Sequence, residues 1–173
     1  MPIPRYVPNR PLPPYSYVPG MFPHPISHPT GHMHGMKDEE GAHQENDLPF
    51  GFDLFNHGFY WEAHEAWEQA WVAAGRRGMF ADVLKGLIKL AAAGVKAREG
   101  KPEGIRRHAR RAGELFSSVA SCDEHDLSEN WARSCRQWEG YANDVNSQAD
   151  QLVNNSPEHA VVVFSFVLEC PTA

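Results

Sequence analysis

Phe55-Asn56-His57-Gly58-Phe59-Tyr60-Trp61-Glu62-Ala63-His64-Glu65-Ala66-Trp67-Glu68 is the stretch whose reading decides the fold. At about 100° per residue, Tyr60, Ala63, His64, Trp67, Glu68 and Trp71 fall on one helical stripe. Aromatic residues at that spacing ask for burial, so a helix is expected over residues 56–74. Asn56 suits its N-cap, because its side-chain oxygen can accept an orphan backbone N–H. His64 and Glu68 then share the face that the aromatic residues would bury, which calls for an explanation.

The same periodicity continues toward the C-terminus. Phe80, Val83, Leu84, Leu87, Ile88, Ala91 and Val95 form an apolar stripe over residues 79–98, while Lys85, Lys89 and Lys96 line another side. Gly100 followed by Pro102 ends that helix and starts the next, by the usual asymmetry of glycine after a helix and proline at the start of one. The third helix, residues 102–119, turns Ile105, Ala109, Ala112, Phe116 and Val119 inward, and Arg106, Arg107, Arg110 and Arg111 outward. A fourth is expected from Asp126, which with Glu129 makes a capping box. Along it, Leu127, Trp131, Cys135, Trp138, Ala142, Val145, Ala149 and Leu152 recur at spacings of three and four.

The flanks read differently. Most of the fourteen prolines lie between Pro2 and Pro29, which precludes regular helix there and suits extended and turn structure. The acidic stretch that follows, residues 37–47, reads as a mobile linker. After Pro157, the run Ala160-Val161-Val162-Val163-Phe164-Ser165-Phe166-Val167-Leu168 is β-branched and aromatic. It is expected to be a short extended strand against the helices or paired with another chain. The expected architecture is all-α. A compact bundle of about four helices, residues 47–155, carries an irregular Pro/His-rich arm and linker, residues 1–46, and an extended tail, residues 156–173.

A chain of 173 residues suffices for one ordinary domain. Its apolar runs are too short for a membrane helix, and no signal-peptide pattern opens it. Three cysteines with no CxxC pair give no disulfide framework and no cysteine zinc site, so the chain reads as cytoplasmic. The net charge of −6 conceals a basic middle: Arg76 to Arg111 holds eleven Lys or Arg against Asp82, Glu99 and Glu103. That segment attracts an anionic ligand through Arg106, Arg107, Arg110 and Arg111, or is a solvated face paired with acidic neighbours. Neither a membrane nor a nucleic acid is an expected partner. Self-association is open to helix faces or to the tail.

The segment that could carry chemistry is His64-Glu65-Ala66-Trp67-Glu68. Positions i and i+4 project from one face, as the two histidines of an HExxH zinc motif do. Here Glu68 replaces the second histidine. His64 and Glu68 would be ligands for a divalent metal such as zinc or manganese, with Glu65 as general base. Asn56, Tyr60, Trp71 and Lys89 would line a pocket over this face. A catalytic zinc wants a third protein ligand, and His57, His108, Glu114 and the histidines of the arm all compete for the place. The alternative is a buried His64–Glu68 pair bonded to Tyr60, which would fix helix docking without chemistry. His24, His28, His32 and His34 form a second cluster, either metal-binding or a plain surface arm.

Phe55, Asn56, Gly58, Tyr60, His64, Glu65, Glu68 and Trp71, followed by Gly86, Leu87, Ile88 and Ala91, resemble the pattern of the domain of unknown function 309 family of bacterial and archaeal proteins. The likeness covers residues 50–118. It implies a small all-helical fold and no established activity. Members are sometimes labelled metal-dependent hydrolases on the strength of the same His-Glu motif, and some share an arm like Pro13-Pro14-Tyr15 to Gly31-His32. This chain departs from the pattern with Lys85 and Lys89 where glutamine is frequent, and with Lys96 where histidine is common. If those positions complete the site, its charge here suits a cation less well.

Overall fold

The computed structural model describes residues 2–35, 47–123 and 127–172. Six helices occur in the order α1 Asp47–Asn56, α2 Tyr60–Ala73, α3 Met79–Glu99, α4 Pro102–Ala120, α5 Glu129–Ser147 and α6 Ala149–Leu152. Five are substantial, and no strand forms among the described residues. The chain is an all-α bundle, as the periodicity requires.

Consecutive helices run antiparallel, and small residues set their registers. Tyr60 of α2 lies on Gly94 of α3, while Lys85, near the start of α3, approaches the Trp71 ring near the end of α2. Phe116 of α4 covers Gly86, and the Lys96 side chain lies over Gly104. Phe116 in turn meets Trp138 of α5 edge-on, with ring centroids 5.6 Å apart. Trp67 and Trp138 are fully buried with Phe52, Phe55, Leu87 and Leu90, so the aromatic residues of the opening stretch do form the centre of the core.

The entry to α2 corrects the expected first helix. Asn56 does not cap α2; it ends α1. Gly58, at φ +87°, closes α1 in a Schellman motif, with Phe59 N–H donating to Leu54 O at 2.8 Å and Gly58 N–H to Phe55 O at 3.1 Å. The helix expected over residues 56–74 therefore starts four residues later, at Tyr60, and is preceded by a further helix, α1, that was not expected. α1 escaped the periodic reading because eight of its ten residues are buried, leaving no amphipathic stripe to detect.

The bounds of α3 and α4 hold to within a residue. Gly100 is left-handed at φ +75°, and Lys101 N–H reaches Lys96 O at 2.9 Å. The proposed capping residue Asp126, like most of the acidic linker, lies outside the described residues; α5 begins at Glu129, after Ser128 in extended conformation.

Both flanks pack on the bundle. In the arm, Tyr6 N–H and Val7 N–H donate to the two carboxylate oxygens of buried Asp53, at 2.6 and 2.8 Å. Arg10 pairs with Asp47 at 2.8 Å and lies over the Phe50 ring. Tyr17 N–H donates to Glu62 at 2.9 Å, beside fully buried Val18. The tail does not form the expected strand: it is irregular and bends at Ser165 and Phe166, and its main chain bonds to side chains of the helices.

Candidate functional site

His64, Glu65 and Glu68 occupy one turn of α2. His64 Nδ1 lies 3.4 Å from a Glu65 carboxylate oxygen and 3.7 Å from one of Glu68. One ligand atom from each residue can be chosen so that all three lie within 4.8 Å of one another, and among the described residues this is the group suited to a metal ion. The side chains are 30%, 36% and 45% exposed. The expected burial of His64 and Glu68 is thus overturned, and so is their bond to Tyr60. The core-facing residues of α2 are Tyr60, Ala63, Trp67 and Ala70, and His64 and Glu68 sit just off that line.

His64 Nδ1 has no hydrogen-bond partner although the atom itself is covered. The two carboxylates approach it without donor geometry, so they engage it as an ion pair only when the imidazole is protonated. An orphaned ring nitrogen flanked by two carboxylates fits the ligand chemistry of zinc or manganese.

The surroundings are cationic. His108 of α4 lies among cationic groups, with His64 also in electrostatic range. Burial pushes the His108 imidazole down to about 4, and Lys89, Arg107, Lys96 and His64 push the same way. Lys89, Lys96 and Arg107 thus gather around His108 where α3 and α4 meet. Lys89 belongs to this flank, and Trp71 marks its end, with Arg76 and Lys85 over its ring at 5.7 and 6.0 Å.

Among the arginines, Arg106 pairs with Glu103 and, at 2.5 Å, with Asp150. Arg111 pairs with Glu114 at 3.1 Å. These two serve the paired solvated face, while Arg107 and Arg110 are exposed. His57 Nδ1–H donates to Asp53 O, 2.7 Å away, and His57 is not part of the metal group.

The histidines of the arm do not converge. His24 Nδ1 accepts from Ile26 N–H and Ser27 N–H, and His28 Nδ1 accepts from Thr30 N–H. In the neutral ring this places the proton on Nε2, which leaves neither nitrogen free to ligate. The aromatic residues of the arm do pin it: Tyr17 and His24 both meet Trp61 edge-on.

The family model described as Domain of unknown function (DUF309) matches residues 49–108. Residues 49–108 are a DUF309 domain. No curated protein and no solved structure matches the chain. The DUF309 region takes in α1, α2, α3 and the first turns of α4, and so includes His64, Glu65, Glu68, Lys89 and His108.

Two residues of the DUF309 region named as pocket lining point elsewhere. Asn56 and Tyr60 are 3% and 1% exposed and face the tail. The charged residues that sequence reasoning passed over are Asp53, Glu62 and Arg98, all buried. Arg98 falls on the continuation of the α3 apolar stripe, three residues past Val95, and that position was a readable signal. Glu62 gave none, because what covers it is the distant arm. One concavity, of about 360 Å³, lies between the start of α3 and the facing ends of α4 and α5. None of the three metal-group residues lines it.

Proposed function

We propose that the DUF309 domain of this chain is a divalent-metal-binding module, with His64, Glu65 and Glu68 as its protein ligands. The observation that carries this reading is the unpartnered Nδ1 of His64 between two carboxylates on one helical turn. Glu65 serves in it as the third ligand and not as a free general base. Three protein ligands on a half-exposed face leave coordination positions open to solvent.

A second reading, metal-dependent hydrolysis, is favoured by the basic flank. Lys89 and Arg107, around the neutral imidazole of His108, would hold an anionic ligand near an ion bound by His64 and Glu68; Lys96 is already paired with Glu99 at 2.6 Å. A divalent ion there would supply Lewis-acid activation of water. The basic flank without a metal is the non-catalytic form of the same idea: an anion-binding module.

The test is metal content of untagged protein, then titration with zinc and with manganese. One ion per chain is expected, lost in His64→Ala and in Glu68→Gln. Metal-free stability should change in His64→Ala by no more than about 0.5 kcal/mol, since the side chain is partly exposed and outside the core. A protein that binds neither ion sinks the reading. Metal-stimulated cleavage of a phosphodiester probe by the loaded protein, lost in Lys89→Ala with its metal retained, would support hydrolysis; loaded protein without cleavage leaves the binding role alone.

A further inference from the structure

A second site in the DUF309 region is built around a polypeptide main chain. Asn56 makes two hydrogen bonds to one residue of the tail: Nδ2 donates to Leu168 O and Oδ1 accepts from Leu168 N–H, both at 2.8 Å. The Tyr60 hydroxyl accepts from Val163 N–H at 2.9 Å. Arg98, 1% exposed, donates to the carbonyls of Asn154, Ser156 and Glu158 at 2.5, 2.9 and 3.1 Å. Gly58 lies under the tail: a Cβ there would stand 2.6 Å from Val161 O. Every one of these contacts reads backbone, and none reads a tail side chain.

Side-chain selection comes from alternation. Phe164 and Leu168 are 5% and 0% exposed and Phe166 is partly buried between them, while Val162 and Val167 face out at 47% and 36%. Phe164 and Phe166 stack on the Phe55 ring at 5.6 and 6.2 Å. From Phe164 to Leu168 the tail turns an apolar side chain inward at every second position, with a bend at Ser165–Phe166 and no strand pairing. The residues that hold its main chain, Asn56, Gly58, Tyr60 and Arg98, lie in the matched region 49–108, while Tyr141 of α5, stacked on Phe166 at 4.3 Å, adds a wall from outside it. The groove's main-chain contacts thus come from the domain, and its occupant is an appended segment.

The geometry points to a peptide-binding groove in which the C-terminal tail is an intramolecular ligand, displaceable by an extended segment of a second polypeptide with apolar residues in the pattern Φ-x-Φ-x-Φ. Peptide recognition by main-chain hydrogen bonds with alternate side-chain pockets is an established mode of binding extended segments. A tethered occupant competes at high effective concentration, so the intact chain binds such a partner weakly until its own tail is released.

The experiment uses the full chain carrying Phe164→Asp with Leu168→Asp, which makes its own tail a poor occupant, and a labelled peptide with the sequence of residues 157–170. The variant is expected to bind the peptide about ten-fold or more tightly than the wild type does. Adding Asn56→Ala should remove that binding, and a scrambled peptide should not bind. A variant that keeps its helical circular dichroism yet binds no peptide overturns the proposal. Should the variant not fold, hydrogen exchange of the wild type decides instead. Val163 and Leu168 amides exchanging well ahead of Leu87 and Ala91 support a releasable tail; equal protection overturns it.

Discussion

Asn56 illustrates how one side chain takes a role that its local sequence does not announce. Beside a helical stripe it reads as an N-cap, yet both its polar atoms are committed to Leu168, 112 residues away. Asn56→Ala leaves a buried N–H and C=O unpaired, an asymmetry worth about 1–3 kcal/mol. Urea denaturation should show a loss in that range, with Leu168 amide exchange accelerated. His64 is the opposite case: its helical position was legible, and its accessibility was not. A helical wheel places it beside Ala63 and Trp67, but whether a residue at the edge of a stripe is covered depends on its neighbour. Here the side chain stays 30% exposed.

Among the elements, α2 joins the bundle to the arm. Its Ala63 and Trp67 face the core, and its Glu62 faces the arm, accepting from Tyr17 N–H at 2.9 Å and Ser16 Oγ at 3.5 Å. Burial raises the Glu62 carboxyl from the ordinary 4.5 to about 8, against the opposing pull of the Tyr17 and Ser16 hydrogen bonds. The folded chain therefore holds this proton more tightly than the unfolded chain does. The resulting stability is fully present below about pH 4.5 and is lost as pH rises to about 8. His108 has the opposite sign: lowered from 6.5 to about 4, it contributes stability above 6.5 that is lost as pH falls toward 4. The two slopes oppose each other between about 4.5 and 6.5. Melting temperature in metal-free buffer should thus fall between pH 6.5 and 8, and Glu62→Gln should flatten that limb. A wild-type limb that does not fall would mean that Glu62 is ionised in its buried site.

Across the whole molecule, two non-helical flanks are held by buried ionisable side chains on the helices. Asp53 and Glu62 bind the arm; Arg98 binds the tail and lies 3.8 Å from Met21 Sδ in the arm. Arm and tail also meet directly, Ser16 N–H donating to His159 O at 2.7 Å. Arg98→Met should cost on the order of 3 kcal/mol, because three carbonyls lose a charged donor at once. Its signature should be loosening of both flanks, seen as faster proteolysis within residues 2–35 and 153–172, with the helical circular dichroism retained.

The sequence by itself determined the helices whose burial is one-sided. α3, α4 and α5 each show an apolar stripe against a polar one, and Gly100 and Pro102 mark a boundary through backbone chemistry that needs no tertiary partner. It also placed His64, Glu65 and Glu68 on one helical turn, because that follows from helix geometry alone. Tertiary structure decided the rest. α1 is buried nearly all round, so its sequence carries no period. The exposure of His64 depends on what packs beside it. The partners of Asn56, Glu62 and Arg98 lie between 45 and 112 residues away, and contacts at that separation exist only once the arm and tail have closed on the bundle.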